Sequence, residues 1–266
     1  MVIFGLPLAA GAASDRDKEA RWAEQIRETL FTGKPVELEA DGGKFLALWT
    51  EETADEARGG VILVHGMGAH PDWPEVIHPL RTRLPERGWS TLSIQAPVLP
   101  NEAGFGAYAP LVAEAGPRIE AALAFFQERD IKPVFLLGHS LGSLMAAAWV
   151  ASWQETEEPP LAGLVLIGMP TVETPPELAA AAYLRKIEIP VLDLYGSRDL
   201  DRVRTGARLR RATARKAGNE AYRQVEVLGA GHFFVGLEDE LVRRIRGWLT
   251  RTSKEDEHTK PAQLNP

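Results

Sequence analysis

Residues 133–142 read Pro133-Val134-Phe135-Leu136-Leu137-Gly138-His139-Ser140-Leu141-Gly142. An apolar run of strand type stops at Gly138, Ser140 has a glycine two places to either side, and an alanine-rich helical stretch follows at once. The pattern G-x-S-x-G is short and turns up by chance. Between a strand and a helix it describes a tight, strained turn that lifts a serine hydroxyl above the edge of a sheet. Gly138 and Gly142 lack Cβ atoms, so strand and helix can approach each other closely there. The N–H of Leu141, at the start of the helix, would point at an oxyanion formed beside Ser140. The competing reading of the same residues is a serine that merely caps a helix in a doubly wound protein, and the rest of the chain has to decide between the two.

Working outward, strand and helix signals alternate from residue 60 to residue 251. A uniformly apolar strand run stands at Gly60–His65, and further strands are expected at Ser90–Gln95, Gly163–Ile167, Pro190–Tyr195 and, last, Arg223–Leu228. Helical spacing separates them at about 74–87, 114–129, 141–153 and 177–185, and a final helix is expected at about 238–251. Before this block, residues 17–31 place Trp22, Ile26 and Leu30 four apart on one face, and residues 35–49 alternate around the turn Asp41-Gly42-Gly43 as a β-hairpin. The expectation is one α/β domain over 15–251: a mostly parallel, twisted sheet of about eight strands, with an antiparallel N-terminal hairpin and helices on both faces. Residues 252–266 are polar and end in proline, and a frayed tail is expected there.

With 266 residues and 45% hydrophobic side chains, the chain can bury a full core. The net charge of −7 argues against a nucleic-acid partner. No apolar stretch approaches the roughly 20 residues needed to span a bilayer. The chain has no cysteine, which excludes disulfides, cysteine nucleophiles and thiolate metal sites. Residues 1–14 are small and apolar up to an abrupt charge at Asp15, like the late part of a secretory signal peptide without its positive n-region. Two readings stay open, a signal-peptide remnant or an apolar arm packed on the domain. The first implies a periplasmic or secreted protein and the second leaves a cytoplasmic one.

An activated serine needs a base, and the base an orienting acid. In sheets of this type the chemistry gathers at the carboxyl ends of the strands. His232 follows the last strand in Gly229-Ala230-Gly231-His232, which makes it the candidate base; His258 lies in the tail and His78 in a helix. The strand at 190–195 closes with Gly196-Ser197-Arg198-Asp199, so Asp199 is the candidate acid. Asp201 is its competitor, and Asp193 sits within the strand. The turn after His65 and Gly66 offers the N–H of Met67 as a second oxyanion donor beside Leu141, with His65 ordering the loop. His70 and Trp73 just beyond would either line a pocket mouth or pack.

Taken together, Ser140, Asp199 and His232 in that order, with His65-Gly66 upstream, resemble the α/β-hydrolase superfamily over residues 35–251. More narrowly, the stretch Val64-His65-Gly66-Met67-Gly68-Ala69-His70-Pro71-Asp72-Trp73-Pro74, with Gly88-Trp89-Ser90-Thr91-Leu92-Ser93-Ile94-Gln95-Ala96-Pro97, is similar to a bacterial group of uncharacterised exported α/β-hydrolases, the DUF3530 family. The resemblance implies the α/β-hydrolase fold, a serine hydrolase acting on a small-molecule ester or acyl substrate, no cofactor and no metal. It supports export, and it leaves the substrate open. Two other readings use the same fold: a binding protein with an inert triad, and cofactor-free perhydrolase or haloperoxidase chemistry. Covers over the site in this superfamily usually follow the strand ending near Gly168. Only 169–185 is available for one, so a minimal lid and an open pocket lined by Phe105, Tyr108, Met169, Phe233 and Phe234 are expected. The basic segment 202–216 reads as a solvated helix face or as a contact for anionic surfaces.

Overall fold

The computed structural model describes residues 14–153 and 161–259. The apolar segment 1–13, the acidic loop 155–160 and the end of the tail, 260–266, lie outside the described residues. Eight strands form one sheet: β1 (Lys34–Ala40), β2 (Gly43–Thr50), β3 (Gly59–Val64), β4 (Trp89–Ile94), β5 (Val134–His139), β6 (Gly163–Ile167), β7 (Val191–Gly196) and β8 (Tyr222–Val227). Their order across the sheet is β1-β2-β4-β3-β5-β6-β7-β8. β1 and β2 pair antiparallel, β2 joins β4 antiparallel, and every pair from β4 onward is parallel. The α/β architecture expected from the alternation of strands and helices is therefore present, with its antiparallel N-terminal hairpin.

Two apolar layers explain why the central strands are apolar throughout. Ile62, Val64, Leu136, Leu164 and Leu166 point into one layer, with α3 (Ala109–Glu114), α4 (Gly116–Gln127) and α5 (Leu141–Ser152). Val61, Leu63, Leu137, Val165 and Ile167 point into the other, with α2 (Ile77–Arg83) and α9 (Glu238–Thr259). The period of two along each strand thus serves two cores at once. α1 (Arg16–Thr29) is capped by Asp15, whose side chain accepts a 2.9 Å bond from the N–H of Lys18. It buries Ala23 and Ile26 on Leu46 and Leu48 of β2.

The structure differs from the sequence expectations at four places. The helix expected from Pro74 begins only at Ile77, after Val76 with φ 61°. The helix expected over 114–129 is two, α3 and α4, because Pro117 in the first turn of α4 starts a new helix. The tail expected from Thr252 is helical to Thr259, and Thr252 is buried. The basic segment is also two helices, α7 (Asp201–Arg204) and α8 (Ala207–Lys216), and it is not a uniformly solvated face: Arg210 is fully buried.

Arg210 organises its surroundings. It donates to both carboxylate oxygens of Asp193 at 2.8 and 3.2 Å. Its Nη1 reaches the carbonyls of Met169 and Val203 at 2.9 and 2.8 Å and the hydroxyl of Thr171 at 3.0 Å. Asp193, within the strand, also accepts from the Tyr222 hydroxyl and from Gln224, so it belongs to this buried network.

The elbow rests on its glycines. A Cβ on Gly142 would lie 2.3 Å from the Val64 carbonyl oxygen and 2.4 Å from that of His65; one on Gly138 would lie 2.3 Å from the Gly142 carbonyl oxygen. These are backbone atoms of packed elements and cannot swing aside. Gly142→Ala is expected to cost about 3 kcal/mol or more, read as a lower urea midpoint at unchanged m-value.

Candidate active site

Ser140 is the residue between β5 and α5, with φ 54° and ψ −121°. This is a backbone region that a residue with a side chain rarely adopts, and it is held here by the packing of the two glycines. The Ser140 N–H donates to the Ile167 carbonyl at 2.8 Å, and its carbonyl accepts from Ser143 N–H at 3.0 Å. The turn is thus tied to the neighbouring strand and to its own helix. The side chain points toward the loops after β7 and β8.

Those loops bring the other two groups. Ser140 Oγ lies 2.9 Å from His232 Nε2, and His232 Nδ1 lies 2.6 Å from Asp199 Oδ1. A carboxylate only accepts, so Nδ1 carries the proton and Nε2 presents its lone pair to the serine hydroxyl. Ser140, His232 and Asp199 are 8%, 9% and 4% exposed. The Asp199 oxygens also accept from the N–H groups of Leu200 at 2.7 Å and Gly196 at 3.3 Å. Burial pushes the Asp199 carboxyl up, but the hydrogen bonds and charge of His232 and the two amides outweigh it and hold the group below its usual range. Asp201, its competitor, has a side chain 94% exposed and sits 3.6 Å from Arg204. The geometry brings Asp199 to the imidazole and leaves Asp201 in solvent.

The loop after β3 is fixed from behind. His65 Nδ1–H donates to the Gly66 carbonyl at 2.9 Å, and its Nε2 accepts from the Ala96 N–H at 3.0 Å, with the Gln95 side-chain nitrogen also 3.0 Å away. Gly66 abuts Ser140, since a Cβ there would stand 3.0 Å from Ser140 Cβ. Met67 follows it, 40% exposed. Leu141 is the first residue of α5, where a helix leaves its N–H groups without intrahelical acceptors. Burial pushes the pKa of His65 down to about 3, so the ring is neutral.

Three supporting residues were not singled out from sequence. His139, the variable residue before the serine, is buried; its Nε2–H donates to the His232 carbonyl at 3.0 Å and its ring lies 4.9 Å from that of His232. Burial lowers its pKa to about 3. Gly168, just after β6 with φ 56°, leaves room for the hydrogen-bonded His232 and Asp199: a Cβ there would lie 3.0 Å from His232 Nδ1 and 3.3 Å from Asp199 Oδ2. Gln95 holds His65. Gly168 and Gln95 stand at strand ends, which is the one signal that could have found them.

The expected pocket lining is corrected in part. Tyr108, Met169 and Phe234 are core residues, each no more than 1% exposed, while Phe233 is 43% exposed beside His232 and Phe105 lies 4.5 Å under the Arg202 guanidinium. The aromatic pattern alone could not tell a lining residue from a packed one. α6 (Ala180–Leu184), the one short helix available as a lid, buries Ala180 and Leu184 in the core. His70 packs edge-on between Trp22 and Trp73, and His78 pairs with Asp72 at 2.8 Å. Among the described residues no group of three or more His, Asp or Glu is placed to hold a metal ion, and no helix is long and apolar enough to cross a membrane.

A family model described as "Protein of unknown function (DUF3530)" matches residues 7–117 and 107–251, nearly the whole described domain. The chain belongs to the DUF3530 family. No protein of curated function matches this DUF3530 member. Solved structures similar to it include a thermostable carboxyl esterase from Bacillus coagulans, with a TM-score of 0.65 at 14% identity over 84% of this chain and 100% of that one. The esterase Pf2001 from Pyrococcus furiosus gives 0.63 at 16% identity, covering 85% and 95%. Est1E from Butyrivibrio proteoclasticus gives 0.62 at 14%, covering 82% and 98%. At these identities the likeness carries the fold, and this DUF3530 chain has the α/β-hydrolase fold.

Proposed function

We propose that this protein is a serine hydrolase of carboxylic esters, with Ser140 as nucleophile, His232 as general base and then acid, and Asp199 as the group that orients His232. The observation that carries this reading is the continuous hydrogen-bond chain from Ser140 Oγ through His232 to Asp199, at 2.9 and 2.6 Å, mounted on a strained elbow. Ser140 Oγ attacks the ester carbonyl carbon as its proton passes to His232 Nε2. The oxyanion of the tetrahedral intermediate is met by the N–H groups of Met67 and Leu141, each contributing about 3–4 kcal/mol to lowering the barrier. His232 then gives its proton to the departing alkoxide, leaving acyl-Ser140. Water, deprotonated by His232, attacks the acyl carbon, and the carboxylate leaves as Ser140 regains its proton.

The surface around Ser140 supports an ester with an apolar portion. Phe233 is 43% exposed with its ring 5.1 Å from that of His232, and Met67, Leu200 and Val235, also exposed, are carried on the loops that follow β3, β7 and β8. The loops that carry them are laced together, Ser197 Oγ accepting from the Gly229 N–H at 2.8 Å and the Arg198 N–H donating to Ala230 at 2.9 Å.

The deciding experiment is labelling with a fluorophosphonate, which traps only an activated serine. The expected result is one adduct per chain, mapped by mass spectrometry to Ser140 and lost in His232→Ala. Folded wild-type protein that takes no label would sink the proposal.

A further inference from the structure

Basic residues are unevenly placed. Residues 198–254 hold 14 of the chain's 30 basic residues but only 7 of its 37 acidic ones, in a chain of net charge −7. Most of this charge surrounds β8, the last strand at one edge of the sheet. α8 exposes Arg208, Arg211, Arg215 and Lys216 there, β8 exposes Arg223, and α9 exposes Arg243 and Arg251.

Between β7, β8 and α9 lies a cleft of about 740 Å³, within the roughly 300–1,000 Å³ usual for small-molecule sites. Its apolar lining includes the core residues Leu192 and Trp248 and the half-buried Val225, and five arginines line it as well. Glu220 is the single acidic residue among those that line it. Arg243 and Arg244 are engaged by Glu240 at 2.6–2.9 Å. Among the described residues Arg223 donates to the backbone carbonyls of Glu220 and Tyr222 and to no carboxylate. Among the described residues Arg246, which is half-buried at the rim, has no carboxylate within ion-pair distance. The cleft reaches Pro190 and Ala221, at the starts of β7 and β8, whereas Ser140 stands at the opposite end of the sheet, after β5.

We propose that this cleft binds a monomeric anionic amphiphile, a single alkyl chain carrying a carboxylate or phosphate head. Neither half of the cleft accounts for the other. An apolar floor would take any oily group, and a basic rim any anion; together they fit a molecule that has both at its two ends. The guanidinium groups of Arg223 and Arg246 present planar donor pairs that suit carboxylate and phosphate oxygens, and the half-buried position of Arg246 strengthens that attraction relative to open solvent. The alkyl chain lies against the half-buried Val225 and the margins of Leu192 and Trp248, themselves 3% and 6% exposed, and removes that limited apolar surface from water. The site is separate from Ser140, and its occupation does not depend on whether Ser140 hydrolyses esters.

The test is calorimetric titration of the full chain with dodecanoate and with dodecyl phosphate, below their micelle concentrations. Both are expected to bind wild type and Ser140→Ala alike, and to lose at least tenfold in affinity in Arg223→Glu/Arg246→Glu. The circular dichroism of that variant and its turnover of a short nitrophenyl ester should match wild type. If the double variant fails to fold, Arg246→Gln alone should lose at least threefold. Dodecyl maltoside binding as tightly as dodecanoate would overturn the proposal, because the anion would then be irrelevant. Inorganic phosphate or polyglutamate binding as tightly would overturn it from the other side, since the chain would be irrelevant. Undiminished affinity in the arginine variants, or affinity lost in Ser140→Ala, would place the ligand elsewhere and end it.

Discussion

Ser140→Ala is expected to lower kcat/KM on a short nitrophenyl ester by roughly 10⁴-fold or more, and Asp199→Asn by about 10⁴-fold, while Asp201→Asn stays within about twofold of wild type. The size follows from how the three groups act as a unit. Without Ser140 there is no acyl intermediate, and the residual rate is whatever the oxyanion donors and binding can supply. Without the Asp199 charge, His232 loses the acceptor that fixes the proton on Nδ1. An asparagine can offer its N–H to that nitrogen, which moves the proton to Nε2 and leaves no lone pair facing Ser140. Asp201 is the internal control because it is of the same type, two residues away and in solvent. Asp201→Asn crippled and Asp199→Asn active would reverse the acid assignment. Full activity in Ser140→Ala would remove the nucleophile.

Acid should unfold this protein early. His65 and His139 are neutral in the fold, with pKa values pushed by burial to about 3, whereas an exposed histidine titrates near 6.5. Between these values the unfolded chain binds more protons than the native one, so stability rises with pH. The stability these groups contribute is present in full above about pH 6.5 and is lost progressively as pH falls toward 3. In the middle of that window each histidine is expected to contribute a slope of up to about 1.4 kcal/mol per pH unit. Asp199 adds to the same trend only at the acid end: its lowered pKa contributes stability above the usual carboxylate range and loses it as pH falls through the folded value. Urea midpoints measured from pH 7 to pH 4 should therefore decline steadily, and the decline should be shallower in His139→Gln at every pH in that range. A midpoint flat from pH 7 to pH 4.5 would show that these rings take up protons without unfolding.

Much of this molecule is legible in its sequence, because the features that set it are local and periodic. The continuous apolar runs at Gly60–His65 and Pro133–Leu137 identify parallel strands, since only a strand covered on both faces needs no polar alternation. Gly138, Ser140 and Gly142 announce the elbow because only glycine fits where a Cβ would meet a carbonyl oxygen at 2.3 Å. The order Ser140, Asp199, His232 was readable because each stands at a strand end. What could not be read depends on packing across the chain. Arg210 looks like its exposed neighbours Arg208 and Arg211; only the fold shows that it lies opposite Asp193. Tyr108, Met169 and Phe234 have the composition of a pocket and the position of a core. Gly168 is one glycine among many until the imidazole of His232 is seen against it.

The Arg210 network has a consequence for how an esterase of this shape would choose among substrates. Through one guanidinium, the carbonyl of Met169 and the hydroxyl of Thr171 are fastened to the carboxylate of Asp193 in the middle of β7. The segment leaving β6 is the place where a movable cover would have to hinge, and here its root is held from beneath in the core. Many enzymes reject a poor substrate after it arrives, by failing to close over it. A segment fastened in this way offers no such second chance from its side of the site. If Ser140 hydrolyses esters as proposed, selection at this side of the site would rest on how an ester seats its carbonyl against Ser140, and would be tuned by the shape of the rim instead of by a motion of this segment.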